Sequence, residues 1–239
     1  MRLLDLTLAT PEENLALDEA LLNAAEDDPT LGVVLRLWES PTHAVVLGRN
    51  SQRQVEVDVG ACESRGIPIL RRTSGGASVL MGPGCLMYSL VLSCTQRPHL
   101  RAVDQAHQFV LGQIAAAIAP LAPGIARRGT SDLAVGDLKV SGNSSRYCRD
   151  NLLYHGTLLY DFDLPLIGNC LKSPPRQPKY RRGRRHGEFV MNLPVPANEL
   201  RQRLRSAWTA DEAMTAWPEE ATSRLVAERY LRREWTESR

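Results

Sequence analysis

Residues 132–142 read DLAVGDLKVSG, and this stretch decides the fold class. Asp132–Val135 and Leu138–Val140 are short apolar runs around a Gly136-Asp137 turn, and Ser141-Gly142 closes the second run. Two runs separated by two turn residues predict an antiparallel hairpin. Upstream, Val79-Leu80, the turn Met81-Gly82-Pro83-Gly84 and the apolar run Leu86–Ser93 predict another hairpin. Downstream, Leu152–Tyr160 reads as a strand carrying His155-Gly156. Val33–Trp38, Ala44–Leu47 and Ile67–Leu70 add buried strands.

Helices flank these strands. Thr10, Pro11 and Glu13 form a capping box with proline at the first helical position. Val103, Ala106, Val110, Ile114, Ile118 and Leu121 recur at helical spacing until Pro120, Pro123 and Gly124. Residues 197–208 and 219–235 read as helical, and 172–187 as an extended loop rich in Pro and Arg. No repeat, linker or composition shift marks a boundary. The pattern predicts one α+β domain over 1–239, with the motifs in 10–193 and a helical tail over 197–239.

Composition narrows the function. The chain has 239 residues, 43% hydrophobic and 23% charged, with a net charge of +2. Disorder is excluded, and no apolar run reaches the length of a membrane span. The acidic, leucine-rich N-terminus lacks a signal-peptide pattern, so a cytoplasmic location is expected and no membrane partner. Five cysteines without a C-x-x-C pair argue against a disulfide framework or zinc ribbon. Of 29 basic residues only Lys139, Lys172 and Lys179 are lysines, so Lys139 is a singular point charge in the first 171 residues.

Four stretches could carry chemistry. Arg71-Arg72-Thr73-Ser74-Gly75-Gly76-Ala77-Ser78 offers glycines that expose backbone N–H groups and arginines that grip anions. It could equally be a tight connection with a solvent-exposed Arg pair. It is neither a P-loop nor a dinucleotide fingerprint. Lys139, on a short strand before Ser141-Gly142, can place its ammonium on a phosphoryl or carboxylate oxygen if its face lines a cleft. The plainer alternative is an edge-strand surface lysine. His155 sits within an apolar strand, where a structural role is the commoner one. Residues 176–186 hold six firm positive charges, suited to an acidic protein face or a nucleotide, or simply to solvent.

Taken in order, Asn14–Ala20, Val46–Asn50, Arg71–Gly76, Asp132-Leu133, Lys139–Gly142 and His155–Leu159 resemble the lipoate–protein ligase family. The likeness runs from about residue 10 to 193. It implies the biotin/lipoate ligase fold, a mixed and largely antiparallel central sheet flanked by helices. It also implies ATP-dependent activation of lipoate or octanoate as the acyl-adenylate, with Mg2+, then transfer to a lysine of a lipoyl carrier domain. That carrier would be the E2 component of a 2-oxoacid dehydrogenase or an H-type protein of glycine cleavage. Lys139 would be catalytic. Arg72, Ser74, Gly75, Gly76, Ala77, Ser78, Val79, Leu80, Lys139 and His155 would bind ATP or the lipoyl-adenylate. Asp132 would hold the magnesium, and Arg181 and Arg182 would dock the carrier's acidic surface.

The chain departs from the family at Ala77, where a third glycine is usual, at Met81-Gly82, and at Ser131. It also ends near Trp235, short of the accessory C-terminal domain of many relatives, so a separate accessory subunit or a transfer-only role is expected. The rival reading is an octanoyltransferase that takes its acyl group from acyl carrier protein through a cysteine thioester. Cys170 is its candidate nucleophile, although it reads as a packing residue, and Cys148 fits no transferase pattern. A non-catalytic lipoyl-adenylate or nucleic-acid binder would rest on 176–186; nucleic acid is the less expected partner.

Overall fold

The computed structural model describes residues 1–28 and 31–238. Its strands are β1 (Arg2–Asp5), β2 (Val34–Glu39), β3 (Ala44–Leu47), β4 (Ile69–Arg71), β5 (Val79–Met81), β6 (Cys85–Ser93), β7 (Ile125–Arg128), β8 (Asp132–Val135), β9 (Leu138–Cys148), β10 (Asn151–Leu159) and β11 (Glu212–Ala213). Its helices are α1 (Pro11–Asp27), α2 (Arg53–Glu56), α3 (Val59–Glu63), α4 (Val103–Ile118), α5 (Leu164–Cys170), α6 (His186–Phe189), α7 (Ala197–Ala207), α8 (Glu219–Leu225) and α9 (Arg233–Thr236). Eight strands form one sheet in the order β11-β1-β2-β6-β10-β9-β8-β7, and β4-β3-β5 form a second. Among the described strands, β1 with β2 and β11, and β3 with β4, pair in parallel, and the rest pair antiparallel. The α+β, largely antiparallel expectation holds.

Strand alternation sorts the core. On β6 and β10, Leu86, Tyr88, Leu90, Leu92, Leu152, Tyr154 and Leu158 pack with the apolar faces of α4 and α7. The intervening Val91 and Leu153 pack with Leu17, Leu21 and Leu22 of α1. Met87 and Leu159, also on that second face, join the core around the small sheet. His155 and Thr157 therefore look towards α1 and the small sheet, not towards α4. The capping box at Thr10 forms as expected, with the Thr10 hydroxyl accepting from the Glu13 amide and the Glu13 side chain accepting from the Thr10 amide.

One expected hairpin does not form. β5 pairs with β3, whereas β6 pairs with β2 and β10. Gly84, at φ +83°, donates its N–H to Glu39 at 2.7 Å and accepts from the amides of Tyr160 and Asp161. Those contacts pin the Gly82-Pro83-Gly84 turn between sheets, so the chain leaves one sheet and enters the other. The C-terminal helix expected over 219–235 is also broken, by a wide π-turn over Val226–Tyr230. Part of the 172–187 loop folds into short helical turns at Lys179–Arg181 and from His186. Among the described residues no helix is long and apolar enough to cross a membrane.

Candidate active site

The β8–β9 hairpin forms, with a defect that places Lys139. Leu133 faces Ser141 and Ala134 faces Lys139, so Val140 is an extra, bulged residue. Residues three apart on a regular strand lie on opposite faces. The bulge shifts that parity and brings Lys139 to the face of Gly142 and of Gly142's partner Asp132. Lys139 Nζ lies 2.7 Å from Asp132 Oδ1. The other carboxylate oxygen, Oδ2, accepts from the Tyr180 hydroxyl at 2.8 Å. A Cβ on Gly142 would stand 3.0 Å from Lys139 Nζ, so the missing side chain makes room for the lysine.

The Arg71–Ser78 connection is not an exposed Arg pair. Both arginines are buried. Arg72 donates to Ser74 Oγ, to the Val46 carbonyl, and to the carbonyls of Gly75 and Ala77, which shapes the glycine loop from inside. Burial draws its pKa down to about 10, against the pull of Glu56, so it stays charged at neutral pH. Arg71 donates to the carbonyls of Gly48, Arg49 and Ser51, and to those of Trp235 and Thr236. Trp235 Nε1 donates back to the Arg71 carbonyl. A Cβ at Gly48 would collide with the Gly76 carbonyl, so this close approach requires glycine.

A third group was not legible in the sequence. His155 Nε2 and Ser74 Oγ share a hydrogen bond at 2.6 Å, and His155 Nδ1 lies 3.4 Å from Asp18 Oδ2. Asp18 also accepts from Ser89 Oγ at 2.6 Å and pairs with Arg36 at 2.7 Å. Burial opposes the Asp18 charge, but Arg36, His155 and Ser89 together hold its carboxyl below the ordinary range. The Ser–His–Asp series is a buried brace: Ser74 is 1% exposed and does not line the cleft. The available signal was the polar pair Asn14 and Asp18, four apart and so on one face of α1, among its leucines and alanines.

These pieces surround a cleft between the two sheets. A cavity of about 330 Å³ has Leu15, Trp38, Val46, Met81 and Met87 on its apolar walls, and Arg72, Gly76, Lys139 and His155 among its polar ones. A second, of about 110 Å³, adjoins it. Ala77, Ser78, Val79, Lys139 and Arg181 line both, and Leu80 lines the smaller. Ser78 donates through its amide and hydroxyl to Glu56, a carboxylate the sequence did not single out. Gly75 contributes its carbonyl, which accepts from Ser144 Oγ at 2.8 Å.

One expectation needs correction. Arg181 is 3% exposed, stacked 4.8 Å from the Phe189 ring centroid, and belongs to the cleft wall instead of an outer docking face. Arg182 does face outward. Asp132 has both oxygens engaged by Lys139 and Tyr180, and no group of three or more His, Cys, Asp or Glu able to hold a metal occurs among the described residues. Cys170 is fully buried beside Cys62 in the small-sheet core, lines neither cavity, and has its thiol pKa raised by that burial. It is a packing residue, as its sequence setting was read.

The chain matches the lipoyl protein ligase A/B catalytic domain over residues 10–221. It belongs to that family. A probable lipoate-protein ligase A of Mycoplasma genitalium is 30% identical over 161 residues, 67% of this chain and 46% of that protein. The chain spans about half the length of the curated relatives it matches. Among solved structures, a bipartite lipoate protein ligase of Thermoplasma acidophilum, described with its E2 lipoyl domain, superposes with TM-score 0.76 at 21% identity, covering 99% of this chain and 95% of that one. A putative lipoate protein ligase of T. acidophilum with bound lipoic acid gives 0.79 at 21%, covering 100% and 99%. A lipoate-protein ligase A bound with ATP gives 0.76 at 22%, covering 99% and 98%. These likenesses establish the lipoate ligase fold of the chain.

Proposed function

We propose that this chain is an ATP-dependent ligase that activates lipoate, or octanoate, as the acyl-adenylate and transfers it to a lysine of a lipoyl carrier domain. The observation that carries the reading is Lys139, an ammonium turned by a bulge into the wall shared by two adjoining cavities. A carboxylate and a nucleotide triphosphate repel each other, and a fixed cation where they meet lowers the cost of bringing them together. The apolar walls suit an acyl chain. Arg72 fixes the loop Gly75–Leu80 against which the nucleotide lies.

In the first step a carboxylate oxygen of the acid attacks the α-phosphorus, and the bond to the leaving pyrophosphate breaks. Lys139 exchanges Asp132 for the developing charge, and Asp132 restores the pair afterwards. In the second step the carrier's amine attacks the acyl carbonyl, AMP leaves, and the amine proton is lost. Magnesium would enter on the polyphosphate and shield its charge; no step of this chain's residues runs through it. Glycine-loop residues Gly75 and Gly76 and the brace Asp18–His155–Ser74 keep the loop in place and bear no reacting atom.

Residues 1–239 act in this reading as one catalytic unit. The solved structure of a bipartite ligase described with its E2 lipoyl domain supports a lipoyl carrier and a separate subunit as partners. A cytoplasmic setting suits the five free thiols. The test is to weigh an apo lipoyl domain after incubation with the protein. A lipoyl adduct with lipoate and MgATP alone supports the ligase. An octanoyl adduct from octanoyl-acyl carrier protein without ATP replaces it with the transferase reading. If only pre-made lipoyl-adenylate yields adduct, the chain performs transfer and the accessory subunit supplies activation.

A further inference from the structure

Arg181 is a buried cation of the cleft with one guanidinium nitrogen that has no hydrogen-bond partner among the described residues. Its Nε donates to the Arg184 carbonyl at 2.9 Å. Its Nη2 is buried and has no hydrogen-bond partner among the described residues. The neighbouring groups explain why no protein acceptor reaches it. Asp132, the nearest carboxylate by its electrostatic effect on Arg181, is taken at both oxygens by Lys139 and Tyr180. Arg184, on the same Phe189 ring, spends its own donors on the carbonyls of Arg181, Glu188, Asp137 and Tyr180. That network holds the 180–184 turn firmly against the hairpin and fixes where the Arg181 fork lies.

A buried donor without a partner destabilises the fold, and more so when it is charged. An anionic oxygen removes that cost on arrival, and a guanidinium binds such an oxygen strongly. Arg181 lines both cavities, as Lys139 does. His186 stands in the wall of the smaller cavity, kept neutral at pH 7 by burial and by these same two cations. The positive charges in that wall are therefore Lys139, Arg181 and Lys172, whose ammonium donates to the Gln54 carbonyl.

We infer that Arg181 is an anion-binding residue of the cleft, whose Nη2 takes a phosphate or carboxylate oxygen of the bound ligand alongside Lys139. The anion site itself stands on the geometry; the identity of its ligand rests on the ligase reading. That reading brings two sources of the oxygen, the nucleotide's phosphates and the acid's carboxylate.

The experiment is calorimetric titration of the wild-type chain and of Arg181→Met with inorganic pyrophosphate, MgATP and octanoate. Methionine keeps the apolar stem against Phe189 and removes the charge. Arg181→Gln, which keeps a neutral donor, is the second variant should the first not fold. The expected result is a loss of at least tenfold in affinity for one class of probe, with the thermal midpoint of the unliganded protein unchanged or raised. Loss confined to pyrophosphate and MgATP assigns the oxygen to phosphate, and loss confined to octanoate assigns it to carboxylate. Affinities equal to wild type for all three probes overturn the inference, as does a wild-type chain that binds none of them. Equal affinities together with a lipoylated carrier would leave the ligase reading standing. An Arg181-dependent pyrophosphate affinity with no carrier modification would remove the ligase reading and leave the anion site.

Discussion

Ser74 Oγ lies 2.6 Å from His155 Nε2, and this contact ties the glycine loop to the middle of the large sheet. Ser74 also accepts from Arg72 Nε at 3.0 Å, so one hydroxyl joins loop, sheet and the arginine that shapes the loop. Ser74→Ala removes an acceptor from a buried guanidinium and a partner from a buried imidazole. The expected cost is about 1–3 kcal/mol of stability. Denaturant unfolding reads that cost, and ligand titration should show weaker nucleotide binding because the loop loses its anchor.

Asp18 gives the acid limit of stability. Its carboxyl titrates below the ordinary value of about 3.9 in the folded state. The unfolded chain therefore takes up this proton first as the pH falls. The stabilisation from Asp18 is present above pH about 4 and is lost as the pH drops through the folded value. Asp18→Asn should flatten this part of the stability profile. It should also cost about 3–5 kcal/mol at neutral pH, because Arg36 is left buried without its counter-charge. Unfolding midpoints from pH 3 to 7 check both.

Lys139→Met should leave the circular dichroism spectrum unchanged and lower adduct formation by about 10³-fold or more, the scale of losing a fixed charge-stabilising donor. Lys139→Arg should not rescue it, since a planar fork replaces a point charge. Gly142→Ala is the subtler probe. Its methyl would stand 3.0 Å from Nζ and displace only the lysine's flexible end. Activity should fall while the melting temperature barely moves, and an equal fall in both would contradict the placement of Lys139.

His186 should make stability rise with pH over a mildly acidic window. Burial, with Arg181 and Lys139 beside it, draws its pKa from about 6.5 to about 4. Between those values the unfolded chain binds a proton that the folded chain refuses. Stability then increases with pH by up to about 1.4 kcal/mol per unit, and the gain is complete above pH 6.5. His107 is lowered as well, so the measurement is the difference in slope between wild type and His186→Asn. A slope that the substitution leaves untouched would refute the assignment.

Gly48→Ala should be among the most damaging single-methyl additions in the chain. The new methyl meets the Gly76 carbonyl, which belongs to backbone that cannot swing aside. Overpacking of this kind costs about 1–3 kcal/mol. Loop displacement should also weaken nucleotide binding beyond what the stability loss explains, a comparison of titration with unfolding data.

Local signals in the sequence were accurate where local chemistry decides the outcome. Thr10 and Glu13 cap α1 because both groups lie within one turn. Gly136-Asp137 makes its hairpin because the strands on either side pair directly, Val135 with Leu138 next to the turn. Gly82-Pro83-Gly84 misled because turn residues specify a change of direction and say nothing about which sheet receives the next strand. Lys139 and Arg72 were legible as chemistry, but the bulge at Val140 that turns Lys139 inward was not. Asp18, Ser74 and His155 come from three distant segments, and no spacing could show their meeting. Arg181 looked like surface charge because a run of arginines usually is; Phe189, placed eight residues on, provides the ring that buries it.

Arg71 binds the carbonyls of Trp235 and Thr236, and 164 residues separate it from Trp235. During synthesis the glycine loop therefore emerges long before the segment that completes the arginine's coordination. At about 5–20 residues per second the delay is on the order of 10–30 s. For that interval the nascent chain has its loop and its lysine hairpin but lacks the acceptors that α9 supplies. The arginine's coordination is thus complete only once α9 has emerged, and a ribosome stalled before α9 would hold the loop with Arg71 short of those acceptors.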